Sequence, residues 1–232
     1  MKSIFIATPA FDGRVHIPYA LSLAETIFHL RAQNYEVKTH ITASGSLLVA
    51  ERNRAVQAFW DSGCDYMFCI DSDLGWPFQA VLAILEQNKE FICGVYPARG
   101  TGGKEFTFRP ALNEDETIIQ EKHLLKMQYV PAGFMIIHRS AIARMRDKFP
   151  ELYYCPKDPR NNPEPGYCFF NTEIYEGEFW GEDYVFCRRA REAGVEIWCD
   201  PLIEFDHAGD RGMLVNVLKP KEDNKVVLAN AA

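Results

Sequence analysis

Tyr66-Met67-Phe68-Cys69-Ile70-Asp71-Ser72-Asp73 is the stretch that decides the fold. Five unbroken apolar residues read as a strand buried on both faces, and two carboxylates one residue apart follow at once. In open α/β sheets ligands bind just beyond the carboxyl ends of the strands, so Asp71 and Asp73 stand where a ligand is expected. In a turn, both carboxylates can face one site. There they offer hard oxygen ligands to Mg²⁺ or Mn²⁺, and such an ion would neutralise a diphosphate.

The flanking sequence supplies the rest of the sheet. Short apolar or β-branched runs at 4–8, 37–42 and 91–95 alternate with helical spacing at 19–30, 47–60 and 78–85. That rhythm predicts βαβ units in an α/β, Rossmann-like single domain with a mostly parallel central sheet flanked by helices. Residues 1–98 form its nucleotide-binding half.

The second half, 99–218, begins with the glycine-rich loop Arg99-Gly100-Thr101-Gly102-Gly103-Lys104. Glycine there lets backbone approach a ligand or lets the loop close over one, and a plain hairpin is the other reading. Hairpin strands are expected near 106–108, 117–119 and 124–130. A strand at 134–137 and a helix from an N-cap at Ser140 to Lys148 follow. Residues 150–166 carry five prolines and read as a long functional loop or lid. A helix over 182–193 ends at Gly194, a strand over 196–200 closes at Pro201, and 219–232 read as a polar tail.

Composition narrows the function. The chain has 232 residues and a net charge of -7, and an acidic balance argues against a surface built to neutralise nucleic-acid phosphates. Its 7 cysteines include no CxxC pair, and several sit in apolar runs. They are expected to be reduced, mostly buried thiols in a cytoplasmic protein. No apolar stretch approaches the roughly 18 residues of a membrane span, so none is expected.

Three readings of Asp71-Ser72-Asp73 stand open. It can be a turn that caps the helix starting near Pro77, since Asp and Ser serve that role widely. It can be the motif of a haloacid-dehalogenase-type phosphatase, with Asp71 as nucleophile. That family, however, expects Thr or Val where Gly75 stands, on its first strand rather than the third. The third reading is a metal-binding DxD that holds a nucleotide-sugar.

The chain resembles small GT-A glycosyltransferases of bacteria, phages and large DNA viruses over nearly its whole length. Four stretches carry the resemblance: Thr8-Pro9-Ala10 with Tyr19 and Ser22; Ala50-Glu51-Arg52-Asn53-Arg54; Asp71-Ser72-Asp73; and Trp180-Gly181-Glu182-Asp183 with His207. The resemblance implies a GT-A fold, Mn²⁺ or Mg²⁺ on Asp73 and His207, and Asp183 as the catalytic base. It also implies donor binding by Thr8, Pro9, Ala10, Arg52, Asp71, Ser72, Gly133 and Glu182. The donor would be a UDP-, GDP- or dTDP-sugar, and the acceptor a glycan or other hydroxyl. Arg52 falls in the apolar stripe Leu48, Arg52, Val56, Phe59 of its helix, where a charge needs a partner; it reads either as a structural ion pair or as reaching the Asp71 region or the nucleotide. Tyr167, Phe169, Phe170 and Trp180 read either as a sugar-stacking wall or as core. A sugar-nucleotide pyrophosphorylase and a non-catalytic nucleotide-sugar binding protein are the rival functions.

Overall fold

The computed structural model describes residues 1–43, 47–155, 165–220 and 226–228. The first half runs β1 (Ser3–Ala10), α1 (Ile17–Ala32), β2 (Glu36–Ala43), α2 (Leu48–Ser62), β3 (Tyr66–Ile70), β4 (Leu74–Gly75), α3 (Phe78–Glu86) and β5 (Phe91–Cys93). Strand β3 has the bounds that its apolar run predicts. Helix α2 stops at Gly63, whose φ of 72° is the left-handed cap that glycine adopts at least cost.

The second half begins with β6 (Arg109–Pro110), β7 (Gln120–Glu121), β8 (Leu124–Tyr129), β9 (Phe134–His138) and α4 (Arg139–Lys148). Two short hairpins follow, from β10 (Tyr153–Tyr154), β11 (Gly166–Tyr167), β12 (Glu173–Tyr175) and β13 (Glu178–Trp180). It closes with α5 (Glu182–Glu192), β14 (Ile197–Cys199), β15 (Glu204–His207), β16 (Asp210–Met213), β17 (Leu218–Pro220) and β18 (Val226–Leu228).

The central sheet has nine strands in the order β2-β1-β3-β9-β5-β14-β8-β6, with β7 also on β8. Strand β1 is parallel to β2 and β3, and β14 is parallel to β5. Strand β9 runs against both β3 and β5, and β8 runs against β14, β6 and β7. Most strands therefore share one direction, and two reversed strands are set among them.

Side chains alternate across a strand, so each central strand feeds two apolar layers. Met67 and Cys69 of β3 pack with Val56 and Phe59 of α2, Ile142 of α4 and Phe186 of α5. Phe68 and Ile70 pack with Tyr19 and Leu30 of α1 and Val81 and Ile84 of α3. Phe169, Phe170 and Trp180 belong to the first layer, with Phe170 stacked on Phe186 at 4.2 Å, so they are core and not a sugar-stacking wall.

Several local expectations give way. The N-cap of α4 is His138, whose Nδ1 accepts from the Ser140 amide at 3.2 Å; an imidazole acceptor two residues back takes the role expected of Ser140. Leu48 lies exposed in the first turn of α2, and the buried face of that helix is Glu51, Arg52, Asn53, Ala55, Val56 and Phe59. The strands expected at 106–108 and 117–119 shrink to single bridges, Pro97 with Phe106 and Leu112 with Ile118. Within 150–166, β10 pairs with β11, while 156–164 lie outside the described residues. Past residue 218, β17 pairs antiparallel with β18. Cysteines 64, 69, 93, 187 and 199 are buried and free, as expected, while Cys155 is exposed. No helix among the described residues is long and apolar enough to cross a membrane.

Asn53 ties the helices to the core loop before α5. Its Nδ2 donates to the Phe170 carbonyl and its Oδ1 accepts from the Phe170 amide, both at 2.8 Å and both buried. Asn53→Ala strands the Phe170 amide and leaves its carbonyl only the weak Cys168 thiol donor at 3.5 Å, and unpaired buried groups cost about 1–3 kcal/mol each. Urea denaturation should show stability lowered by about 2–4 kcal/mol, with an unchanged m-value.

Candidate active site

Beyond the carboxyl end of β3 the chain turns sharply, with the Leu74 amide on the Asp71 carbonyl at 3.3 Å. Helix α3 starts at Phe78, after Pro77, without any side-chain cap, so Asp71-Ser72-Asp73 does not cap it. Asp71 is anchored on both sides. Its amide donates to the Gly133 carbonyl at 3.0 Å, and its Oδ1 accepts from Arg52 Nη2 at 3.0 Å.

Arg52 projects from the buried face of α2. Its Nη1 donates to the Ala132 carbonyl at 3.1 Å, and its Nε lies 3.4 Å from Glu182 Oε1 at the start of α5. Burial alone would weaken the guanidinium charge, but Asp71 and Glu182 together hold it above its ordinary range.

Tyr96, just past β5, completes this cluster. Its hydroxyl accepts from the Gly133 amide at 3.1 Å and stands 3.5 Å from Asp71 Oδ2. Burial and the neighbouring Asp71 push the phenol well above its ordinary range, so it stays protonated. A Cβ on Gly133 would come within 2.3 Å of the Tyr96 hydroxyl and 2.6 Å of Asp71 Oδ2, so only glycine fits between them.

A second cluster is built by strand pairing. Strand β4 pairs antiparallel with β15, placing Leu74 opposite His207. Asp73, one residue before β4, is buried, and its Oδ2 lies 3.3 Å from His207 Nε2. His207 Nδ1 lies 2.7 Å from the Pro97 carbonyl, to which it donates, leaving the Nε2 lone pair aimed at the carboxylate. The Arg99 guanidinium contacts Asp73 Oδ2, and its Nε donates to His207 Nε2 at 3.0 Å. The Tyr96 ring meets the His207 ring edge-on at 5.0 Å and so touches both clusters.

An imidazole lone pair and a carboxylate together suit Mn²⁺, which accepts mixed nitrogen and oxygen ligands. The pair already draws a cation, the Arg99 guanidinium. Among the described residues no group of three or more His, Cys, Asp or Glu side chains converges. Asp73 and His207 could thus offer an ion two ligands from the chain.

Asp183 lies in the first turn of α5, its Oδ1 accepting from the Tyr184 amide at 2.8 Å. Burial first, and then the charge of Glu182, push its carboxyl up to about 6, against the lowering influence of that amide and of Arg52. A carboxyl with such a value is suited to accept a proton near neutral pH.

Arg52, Asp71, Gly133 and Glu182 are thus brought together, as are Asp73 and His207. The β1 residues stand apart. Thr8 is buried and its hydroxyl is bonded to Tyr19 at 2.6 Å, so it faces the interior and not a ligand. Ala10 is buried as well, and Tyr19 and Ser22 are core; Ser22 Oγ accepts from the Trp76 amide. Pro9 is partly exposed, and the Ser72 carbonyl accepts from the His16 amide at 2.9 Å. Tyr96 and Arg99 were not singled out for the site by sequence. Both follow the carboxyl end of β5, so the strand-end rule that selects Asp71 would have found them there too.

No protein-family model matches the chain, and no curated protein matches it. Among solved structures it is similar to A197 from STIV, with a TM-score of 0.50 and 16% identity over 100% of this chain and 96% of that one. The two chains share one fold from end to end. Weaker similarities are to a glycosyltransferase involved in the glycosylation of the major capsid of PBCV-1 and to GalNAc-T7 with UDP, GalNAc and Mn²⁺. The first has a TM-score of 0.32 and 11% identity over 61% of this chain and 62% of that one. The second has a TM-score of 0.43 and 10% identity over 92% of this chain and 44% of that one.

The raised Asp183 value has a consequence for stability, whose sign follows from linkage. Below about pH 4 the group is protonated in both folded and unfolded chains and contributes nothing. Between about pH 4 and 6 the unfolded chain ionises first, so the folded state loses stability, and above 6 the cost is constant at about 2–3 kcal/mol at most. Asp183→Asn should therefore stabilise the protein by about 2 kcal/mol at pH 7 and by close to nothing at pH 4, measured by denaturation at both pH values.

Proposed function

We propose that the chain is a metal-dependent GT-A glycosyltransferase that moves a sugar from a nucleotide-diphospho-sugar to an acceptor hydroxyl with inversion. The observation that carries this reading is the meeting of Asp73 with His207 beyond the carboxyl ends of the strands. A divalent ion there, Mn²⁺ or Mg²⁺, would stabilise negative charge on the departing diphosphate.

The chain's own residues do the rest. Arg52 fixes Asp71 so that one carboxylate oxygen remains for the nucleotide, beside the Tyr96 hydroxyl. Gly133 lets the Tyr96 hydroxyl and Asp71 Oδ2 close on its main chain, which holds both beside the donor site. Ser72, between Asp71 and Asp73, flanks the donor site through its main chain, while β1 stands apart with the Thr8 hydroxyl enclosed. Asp183 takes the proton of the acceptor hydroxyl as that oxygen attacks C1 from the face opposite the leaving group. Glu182, tied to Arg52, orients a sugar or acceptor hydroxyl.

Thermal shift with UDP, GDP, dTDP and CMP, with and without Mn²⁺, tests the reading. One nucleoside diphosphate should raise the melting temperature, and only with the metal; no shift with any of them counts against a nucleotide-sugar enzyme. With the donor so identified, the base role of Asp183 requires its ionised form, so log kcat/KM should climb with pH to a plateau above about 6. Asp183→Asn should lower kcat by at least about a hundredfold. Near-normal transfer by that variant, with loss in Asp73→Ala, would remove Asp183 as the base.

A further inference from the structure

The Arg99 guanidinium rests on the same two atoms, Asp73 Oδ2 and His207 Nε2, that the proposed divalent ion would take. We propose that Arg99 is a displaceable counter-ion: it holds the Asp73–His207 pair while no metal is bound, and it must leave before the metal can enter. This rests on the metal site proposed above.

The two partners differ sharply in exposure. The Asp73 side chain is 6% exposed and that of Arg99 is 60% exposed. A carboxylate so enclosed carries a large penalty when its charge is left unpaired, whereas a solvent-exposed guanidinium recovers its hydration when it swings out. Arg99 therefore leaves at little cost to itself but only when another cation takes over Asp73. The departure of one charge and the arrival of the other are a single exchange.

The loop that carries Arg99 is built so that the side chain can move while the backbone stays. Ala98 donates to the Glu105 carbonyl at 2.7 Å, closing residues 98–105 as a hairpin. Asp210, in β16, accepts from the amides of Gly100 and Gly102. Gly103 lies flat against the same strand, where a Cβ would sit 1.9 Å from the Arg211 carbonyl oxygen. The His207 ring is also fixed, by the Pro97 carbonyl, so its Nε2 lone pair accepts from Arg99 in one state and is free for a metal in the other. Only the arginine side chain has to change place.

The exchange makes a prediction for metal binding without any substrate. Mn²⁺ alone, titrated into the full chain and followed by the EPR signal of the free ion, has to displace Arg99 in the wild-type protein. It meets no competitor in Arg99→Gln, which should bind Mn²⁺ at least about tenfold more tightly, while Arg99→Lys stays near wild type. Without metal, Arg99→Gln should melt at a lower temperature than wild type, because Asp73 has lost its counter-charge, and Mn²⁺ should raise its melting temperature more than that of wild type. Equal Mn²⁺ affinity in wild type and Arg99→Gln would overturn the exchange and leave the metal site standing. If Asp73→Asn leaves Mn²⁺ binding unchanged in both backgrounds, the metal site itself falls, and the exchange with it.

Discussion

One buried cation holds the site together. The Arg52 guanidinium reaches Asp71 at the end of β3, the Ala132 carbonyl in the turn before β9, and Glu182 at the start of α5. The sheet already sets the end of β3 beside the turn before β9, and the guanidinium joins the start of α5 to them, its fork of donors serving several acceptors at once. Its own position is set from below, where Asn53 and Phe59 on the same buried face of α2 are locked into the core. Lysine, with a single point charge, could not span these partners.

That arrangement carries its own tension. Asp71, Glu182 and Asp183 crowd around a single guanidinium, and two of them are tied to it directly. Asp183 is the carboxyl left without a strong partner, and burial raises its proton affinity where Arg52 and the helix amide would lower it. Desolvation wins because the compensating charge is already committed elsewhere. A well-paired acid would be stable and chemically idle; this one is destabilising and basic, the combination commonly found where proton transfer is needed.

Much of the first half was legible in the sequence, because each strand there is a short apolar run and each helix has a clear period. The β3 run has its predicted bounds, and Arg52 is paired, as a charge on an apolar stripe must be, with Asp71. The second half was less legible for physical reasons. Reversed strand β9 has the same apolar composition as a parallel one, so its direction leaves no mark on composition. Strand β4 is two residues long, too short for any periodicity, yet it brings His207 beside Asp73. The resemblance supplied that pair, and no local pattern could have done so. Tyr96 and Arg99 escaped because a tyrosine before proline and an arginine before glycine look like ordinary loop chemistry. The Thr8 hydroxyl was misjudged for the opposite reason: a polar side chain at a strand end reads as exposed until its buried partner, Tyr19, is known.

The β4–β15 ladder also bears on how the protein comes to be made. Asp73 lies in an early segment and His207 in a late one, and a two-residue strand has almost no stability of its own. A growing chain therefore carries Asp73 past the ribosome long before its strand partner exists. Any product cut short of His207 lacks the strand that pairs with β4 and cannot assemble the Asp73–His207 pair. Completeness of synthesis is thereby written into the meeting of Asp73 with His207.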